Sequence, residues 1–406
     1  RLGNATYVDS NGLIKTAYRN LVKNSQEFNQ STWNKSNAAV TSPTFAIAPD
    51  GTETATKVTI NQQSASYLGL HSSHSWSVTA GKTYTFSIYV KSTGNPSHFT
   101  MQFGSGSTVT RLAKTATPNE WTRYSITHTA AANNDPIYFN NYPDDFSTEA
   151  LIWGAQVVEG TEAGDYVRTG STATGAARYS HDPETLVPTG LYLEPATTNY
   201  WHHSNLFTFD GFAGVNGMYS YSLNLTADAA IAPDGTLTAA SVIPKGNLSG
   251  GNNYWMQQQH GQTTAGSTFS CFIKYNGWRY IAIRNGHGTP SAAALFDITN
   301  GTLVYTTGNA TANIEAYPNG WYRISCSNPV AGAGWASIVF RQNDDVSSGA
   351  PQYTTPNDGV SGIYLWGIQW EPNSYPTSVI IASGNDTTRA ADTYTSTATT
   401  VLDRDG

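Results

Sequence analysis

The sequence predicts an all-β protein made of two tandem antiparallel β-sandwich domains of jelly-roll type. Charged residues are only 12% of the 406, and long Ala/Glu/Lys/Leu stretches suited to helices are missing. Short runs of alternating polarity are punctuated by turns such as Pro49-Asp50-Gly51 and Pro233-Asp234-Gly235. The chain also repeats itself at the scale of a whole domain.

The repeat is clearest where Ala46-Ile47-Ala48-Pro49-Asp50-Gly51-Thr52 returns unchanged as Ala230-Ile231-Ala232-Pro233-Asp234-Gly235-Thr236. In the same order, Thr85-Phe86-Ser87-Ile88-Tyr89-Val90-Lys91 is followed by its counterpart Thr268-Phe269-Ser270-Cys271-Phe272-Ile273-Lys274. Pro118-Asn119-Glu120-Trp121-Thr122-Arg123 answers to Pro318-Asn319-Gly320-Trp321-Tyr322-Arg323, and Ile152-Trp153-Gly154-Ala155-Gln156 to Leu365-Trp366-Gly367-Ile368-Gln369. The spacing between copies widens along the chain, so the second copy is expected to carry extra loop residues.

In chain order, residues 1–17 read as a lead-in with a hairpin-like phrase from Ala5 to Leu13, and 18–169 as the first jelly-roll module. Residues 170–198 form a Gly-, Pro- and Thr-containing linker, 199–388 the second module and 389–406 a polar tail. Each module exceeds a minimal seven-strand immunoglobulin-like domain and lacks its Cys-Trp-Cys pattern, which favours the jelly roll.

Lys and Arg total 21 against 28 Asp and Glu, a formal charge of −7, and no basic cluster offers a phosphate footprint, so nucleic acid is not an expected partner. No apolar run approaches the roughly 18–20 residues of a membrane-spanning helix, and no membrane insertion is expected. The two cysteines, Cys271 and Cys326, are too few for a disulfide framework and read as buried free thiols.

Asn20-Leu21-Val22, Ser25-Gln26-Glu27-Phe28, Trp33, Ala48-Pro49-Asp50-Gly51-Thr52, the Tyr84–Lys91 run and Ile152-Trp153-Gly154-Ala155-Gln156 together resemble modules of tailed-bacteriophage structural proteins. The flanking phrases Ala5-Thr6-Tyr7-Val8-Asp9 and Arg178-Tyr179-Ser180-His181-Asp182-Pro183 share that likeness. The resemblance implies carbohydrate-binding-module-like jelly rolls on a fibre, tail or capsid surface. It implies a virion-surface location, other virion proteins and host-surface glycans as partners, and a symmetric homo-oligomer such as a trimer.

No nucleophile elbow, zinc-protease helix, phosphate-cradling glycine loop or Cys/His metal spacing is present, and a non-enzymatic role is expected. The acidic pairs Asp144/Asp145 and Asp344/Asp345 sit in turn-like contexts and are weak candidates for Ca²⁺. His71, His74 and His202-His203 read as surface polar residues, and Trp121, Trp153, Trp321 and Trp366, placed alike in both copies, as packing residues.

Strand alternation through Trp278-Arg279-Tyr280-Ile281-Ala282-Ile283-Arg284 places Trp278, Tyr280 and Arg284 on one face. That face is polar in the matching His98–Phe103 run, which makes Trp278 and Tyr280 candidate exposed rings for a sugar, with Arg284, Gln257, Gln259 and His260 as hydrogen-bonding candidates. The expected function is therefore a phage surface protein whose modules bind glycans. The alternatives are a spacer without ligand and the binding part of a polysaccharide depolymerase.

Overall fold

The computed structural model describes residues 5–36, 38–41, 46–61, 69–72, 78–118, 120–141, 147–172, 174–205, 218–245, 254–260, 266–286, 292–307, 309–330, 334–340, 356 and 358–392. It is built almost wholly of antiparallel strands in two compact units. One comprises Tyr18–Ala176; the other joins the described residues of Gly3–Ala17 to those of Ala177–Gly406.

In the first unit, one five-stranded sheet runs in the order Thr110–Ala116, Ser97–Phe103, Ile137–Asn140, Gly69–Ser72, Asn34–Ser36. The other runs Thr122–Thr129, Thr83–Ser92, Thr148–Glu159, Thr56–Ile60, Ala38–Thr41. Alternation sends Phe86, Ile88 and Val90 of one sheet and Phe99, Met101 and Phe103 of the other into a shared core.

The second unit keeps both orders and adds a strand to each. Its first sheet runs Thr302–Thr307, Ala292–Asp297, Tyr280–Asn285, Gly334–Phe340, Tyr254–His260, Met218–Tyr221. Its second runs Thr311–Tyr317, Trp321–Asn328, Ser267–Asn276, Gly362–Glu371, Leu237–Pro244, Leu223–Ile231. The residues expected as extra loop before Pro318 are largely the two added edge strands, Thr302–Thr307 and Thr311–Tyr317. Cys271 and Cys326 are free and lie in this unit's core, where burial pushes the Cys326 thiol up to about 12 and raises that of Cys271 as well.

Both units break one long strand at the same place. Gly154 and Gly367 take φ of +66° and +59°, and pairing slips there, from Trp153 to Gln156 in one and opposite Ser270/Phe272 in the other. A Cβ on Gly367 would come within 3.1 Å of the Phe272 ring, so glycine is required for space as well as for φ. The slip resets the alternation, which turns Trp153 and Trp366 away from the main cores into separate outer clusters.

A buried asparagine spans each bulge. Asn20 Nδ2 donates to the carbonyls of Ala155 and Val167 while its Oδ1 accepts from the N–H of Val22 and Val157. Asn199 does the same with Ile368, Ile380, Trp201 and Trp370, and Ser25 and Ser204 add matching bonds five residues on.

The lead-in does not stay with the module that follows it in sequence. Its hairpin, Thr6–Val8 paired with Ile14–Thr16, lies in the second unit, where the Ile14 N–H donates to the Pro233 carbonyl at 3.0 Å and Val8 and Ile14 pack on the Trp321/Trp366 cluster. The linker from Ala177 onward and the described start of the tail, residues 389–392, belong there too, whereas the described residues of 170–176 stay with the first unit. Arg178, fully buried, donates to the Thr6 carbonyl and Glu194 and pairs with Asp392, while Arg389 lies 2.8 Å from Glu194.

Burial works to raise the Glu194 carboxyl, but bonds from Ser378 and pairing with Arg389 and Arg178 outweigh it and hold the group below the usual carboxylate range. A carboxyl depressed in the folded state gives its full stabilisation above the unfolded pKa of about 4.3, and loses it as pH falls through the folded value. Glu194→Gln, which leaves the buried Arg389 without its carboxylate and Arg178 with Asp392 alone, is expected to cost about 3–5 kcal/mol at neutral pH. Urea titrations should show that penalty shrinking as the pH is lowered past 4; a penalty independent of pH would contradict it.

Candidate ligand-binding face

Each second-unit sheet has an outer side, and the two are treated differently. The side bearing Trp321 and Trp366 is covered by the lead-in hairpin. The outer side of the Met218–Tyr221 to Thr302–Thr307 sheet carries its own cluster of Ala282, Ala293, Leu295 and Val339, with Trp255, Tyr280, Val304 and Tyr305 half-buried against it.

Strand register fixes what lies side by side there. One row runs Tyr221, Trp255, Val339, Ala282, Leu295, Tyr305. Its middle is buried and small or aliphatic and its ends are rings, so five inter-strand steps of about 4.8 Å make a strip of roughly 24 Å with aromatic shoulders and a low floor. The next row, Tyr219, Gln257, Ser337, Arg284, Ala293, Thr307, is polar around a central guanidinium.

Trp255 stacks on Tyr221 with centroids 6.0 Å apart at 17°, and Trp335 lies 6.0 Å from Tyr219 in the row beyond, opposite Gln259. Partial burial lowers the Arg284 guanidinium from its usual value, which still leaves it charged at neutral pH. At the far edge Arg279 forks onto Asp297 with bonds of 2.7–3.0 Å and lies over the Tyr280 ring. Burial raises the Asp297 carboxyl, and Arg279 with the N–H groups of Thr299 and Asn300 more than offsets this, leaving it below the usual range.

Of the residues predicted from sequence, Tyr280, Arg284, Gln257 and Gln259 share this face, and Trp278 and His260 do not. Trp278 is 1% exposed, corrected here from a candidate exposed ring to a core residue: it packs on Tyr254 and Phe340 and donates its Nε1–H to the Tyr280 carbonyl. Regular pairing begins only at Tyr280, so the alternation does not reach back to Trp278. His260 has the inward parity of its strand and stacks on Tyr200 at 4.3 Å; Asp386 lies 2.9 Å from His202 and 3.3 Å from His260.

Sequence reasoning missed Trp255, Trp335, Tyr219, Tyr221 and Tyr305. The signal was present in the alternation of Tyr254–His260 and Gly334–Phe340, whose odd-numbered residues face outward. Asp144, Asp145, Asp344, Asp345 and His74 lie outside the described residues, and among those described no group of three His, Cys, Asp or Glu side chains could hold a metal.

The matching face of the first unit differs. Its row Arg111, Gln102, Tyr138, His71, Asn34 has one ring pair, His71 on Tyr138 at 5.3 Å, and no tryptophan. Trp121, Trp153, Trp321 and Trp366 serve packing instead. Trp121 and Trp321 donate to the carbonyls of Ile47 and Ile231, and Trp153 and Trp366 to the hydroxyls of Thr54 and Thr238.

No protein-family model matches the chain, and no curated protein is found similar to it. Among solved structures it is similar to the N-terminal CBM22-1–CBM22-2 tandem domain of Paenibacillus barcinonensis Xyn10C, at 11% identity over 87% of this chain and 97% of that one, with a TM-score of 0.31. The family 11 carbohydrate-binding module of Clostridium thermocellum Lic26A-Cel5E matches at 15% identity over 36% of this chain and 98% of that one, with a TM-score of 0.24. Likenesses this slight do not bear on what the present chain binds.

Core and face rings should separate cleanly in stability measurements. Trp278→Ala is expected to cost about 3–5 kcal/mol, as for a large buried ring, and Trp335→Ala no more than about 1 kcal/mol. Equal losses in urea unfolding would refute the placement.

Proposed function

We propose that the second unit binds an extended glycan along the outer side of its Met218–Tyr221 to Thr302–Thr307 sheet, without acting on it chemically. The observation that carries this is the row of aromatic shoulders over a small-residue floor, flanked by a row of hydroxyls, an amide and a guanidinium. A sugar ring has an apolar C–H face and a hydroxyl edge, and the two rows match those two sides. A shallow strip on a rigid sheet holds its rings in place before binding, which reduces the ordering cost of a weak polar ligand.

We also propose a setting on the virion surface of a tailed bacteriophage, on a fibre, tail or capsid. Its support is the resemblance of the module and flanking phrases described above. An assembly role has one structural feature in its favour. The linker hairpin leaves Tyr179, Val187 and Leu193 each more than half exposed, an unusual density of apolar side chains for a free surface.

A glycan array on the full chain, followed by calorimetry on the best ligand, tests the binding reading. Trp335→Ala and Trp255→Ala are each expected to weaken binding about tenfold, or ~1.4 kcal/mol, with a negative heat-capacity change from buried apolar surface. Absence of binding by correctly folded protein, or binding indifferent to both substitutions, would refute it. Release of reducing ends from capsule would replace it with a depolymerase.

A further inference from the structure

The second unit shows what its turn and tryptophan platform is for. The turn Ala230–Thr236 is stapled by Asp234, whose Oδ1 accepts the N–H and hydroxyl of Thr236, and Trp321 closes it by donating to the Ile231 carbonyl. The lead-in hairpin docks on it in three ways. Ile14 gives its N–H to the Pro233 carbonyl, Lys15 Nζ reaches the Asp234 carbonyl at 3.3 Å, and the hairpin tip lies so near Pro318 that a Cβ on Gly12 would come within 2.5 Å of its ring. Pro233 is buried, and Trp321 is 1% exposed.

The first unit carries the same platform. Asp50 accepts both bonds from Thr52, Trp121 donates to the Ile47 carbonyl, and Pro118 precedes Trp121 by three residues as Pro318 precedes Trp321. Arg123 and Arg323, behind the two platforms, make equivalent bonds to Ser87 and Gly164 and to Ser270 and Thr377. Here the platform is open. Pro49 and Asp50 are exposed, Trp121 is only half-buried, and the Pro49 carbonyl accepts no hydrogen bond from a described residue.

We infer that the Ala46–Thr52 turn with Trp121 is a docking site for a β-hairpin supplied by another protein chain. The partner's chemistry follows from the occupied copy: a tight hairpin with a glycine tip, then an aliphatic residue whose N–H meets the Pro49 carbonyl, then a lysine for the Asp50 carbonyl. Main-chain bonding to a fixed turn supplies the register, and the aliphatic side chain against Trp121 supplies selectivity. A second copy of this chain is a poorer source, because its own hairpin is already seated and moving it would leave an identical platform bare.

The probe is a disulfide-stapled peptide of residues 5–17, preorganised as the hairpin, titrated into the full-length chain. One equivalent is expected to bind, shifting the Gly51 and Thr52 amide resonances. Trp121→Ala should weaken uptake at least tenfold. A peptide carrying Ile14→Asp should do the same with the protein unaltered, so misfolding cannot imitate the result. A chain lacking residues 1–17 should take up two equivalents. No uptake by the full-length chain, or uptake indifferent to Trp121→Ala and to the peptide change, overturns the inference.

Discussion

Everything in each unit hangs on one buried amide. Asn20 and Asn199 each use both N–H donors and both acceptor lone pairs, a full set that an asparagine rarely completes outside water. Two of the four groups each satisfies lie on the long strand just past the glycine bulge, at Ala155 and Val157 or Ile368 and Trp370, and the other two on the segments beside it, at Val22 and Val167 or Trp201 and Ile380. Without the amide, a fully buried strand would hold several orphaned polar groups at about 1–3 kcal/mol each. The bulge is thus tolerable only because the asparagine is there, and the outward-turned tryptophan depends on the bulge.

From that constraint comes the division of faces. The bulge sheet spends its outer side on Trp153 or Trp366 and on the segments that pack over it. The opposite sheet has no bulge asparagine to feed, and its outer side is free to vary between copies. In the first unit it is polar; in the second it became a ring-lined strip. Scaffold and recognition surface therefore lie on different sheets, which lets one diverge while the other keeps its bonds.

Much of this was legible in the sequence. The repeat, the all-β class, the inward Phe99/Met101/Phe103 face and the packing role of the shared tryptophans all follow from local alternation and from residues recurring at matched places. Alternation also placed Tyr280 and Arg284 together, but it failed at Trp278, because periodicity holds only inside the strand and the turn at Gly277, with φ of +96°, precedes it. Trp255 and Trp335 lie on strands 80 positions apart in number that pair directly, a proximity no local pattern encodes. The seating of the lead-in on the second unit is hidden for the same reason: Ile14 and Pro233 are joined by one hydrogen bond across more than half the chain.

That long reach gives the molecule a schedule. The hairpin at residues 6–16 is translated long before its seat is complete: one wall, Trp366, emerges some 350 residues later. At roughly 5–20 residues per second the ribosome needs on the order of tens of seconds to supply it. Through that interval the first unit has time to complete itself, closing its own ends where Arg19–Asn20 pairs with Thr174–Gly175. The finished first unit becomes the loop whose closure joins the hairpin to its seat, so a segment made before that unit finds its place only after it.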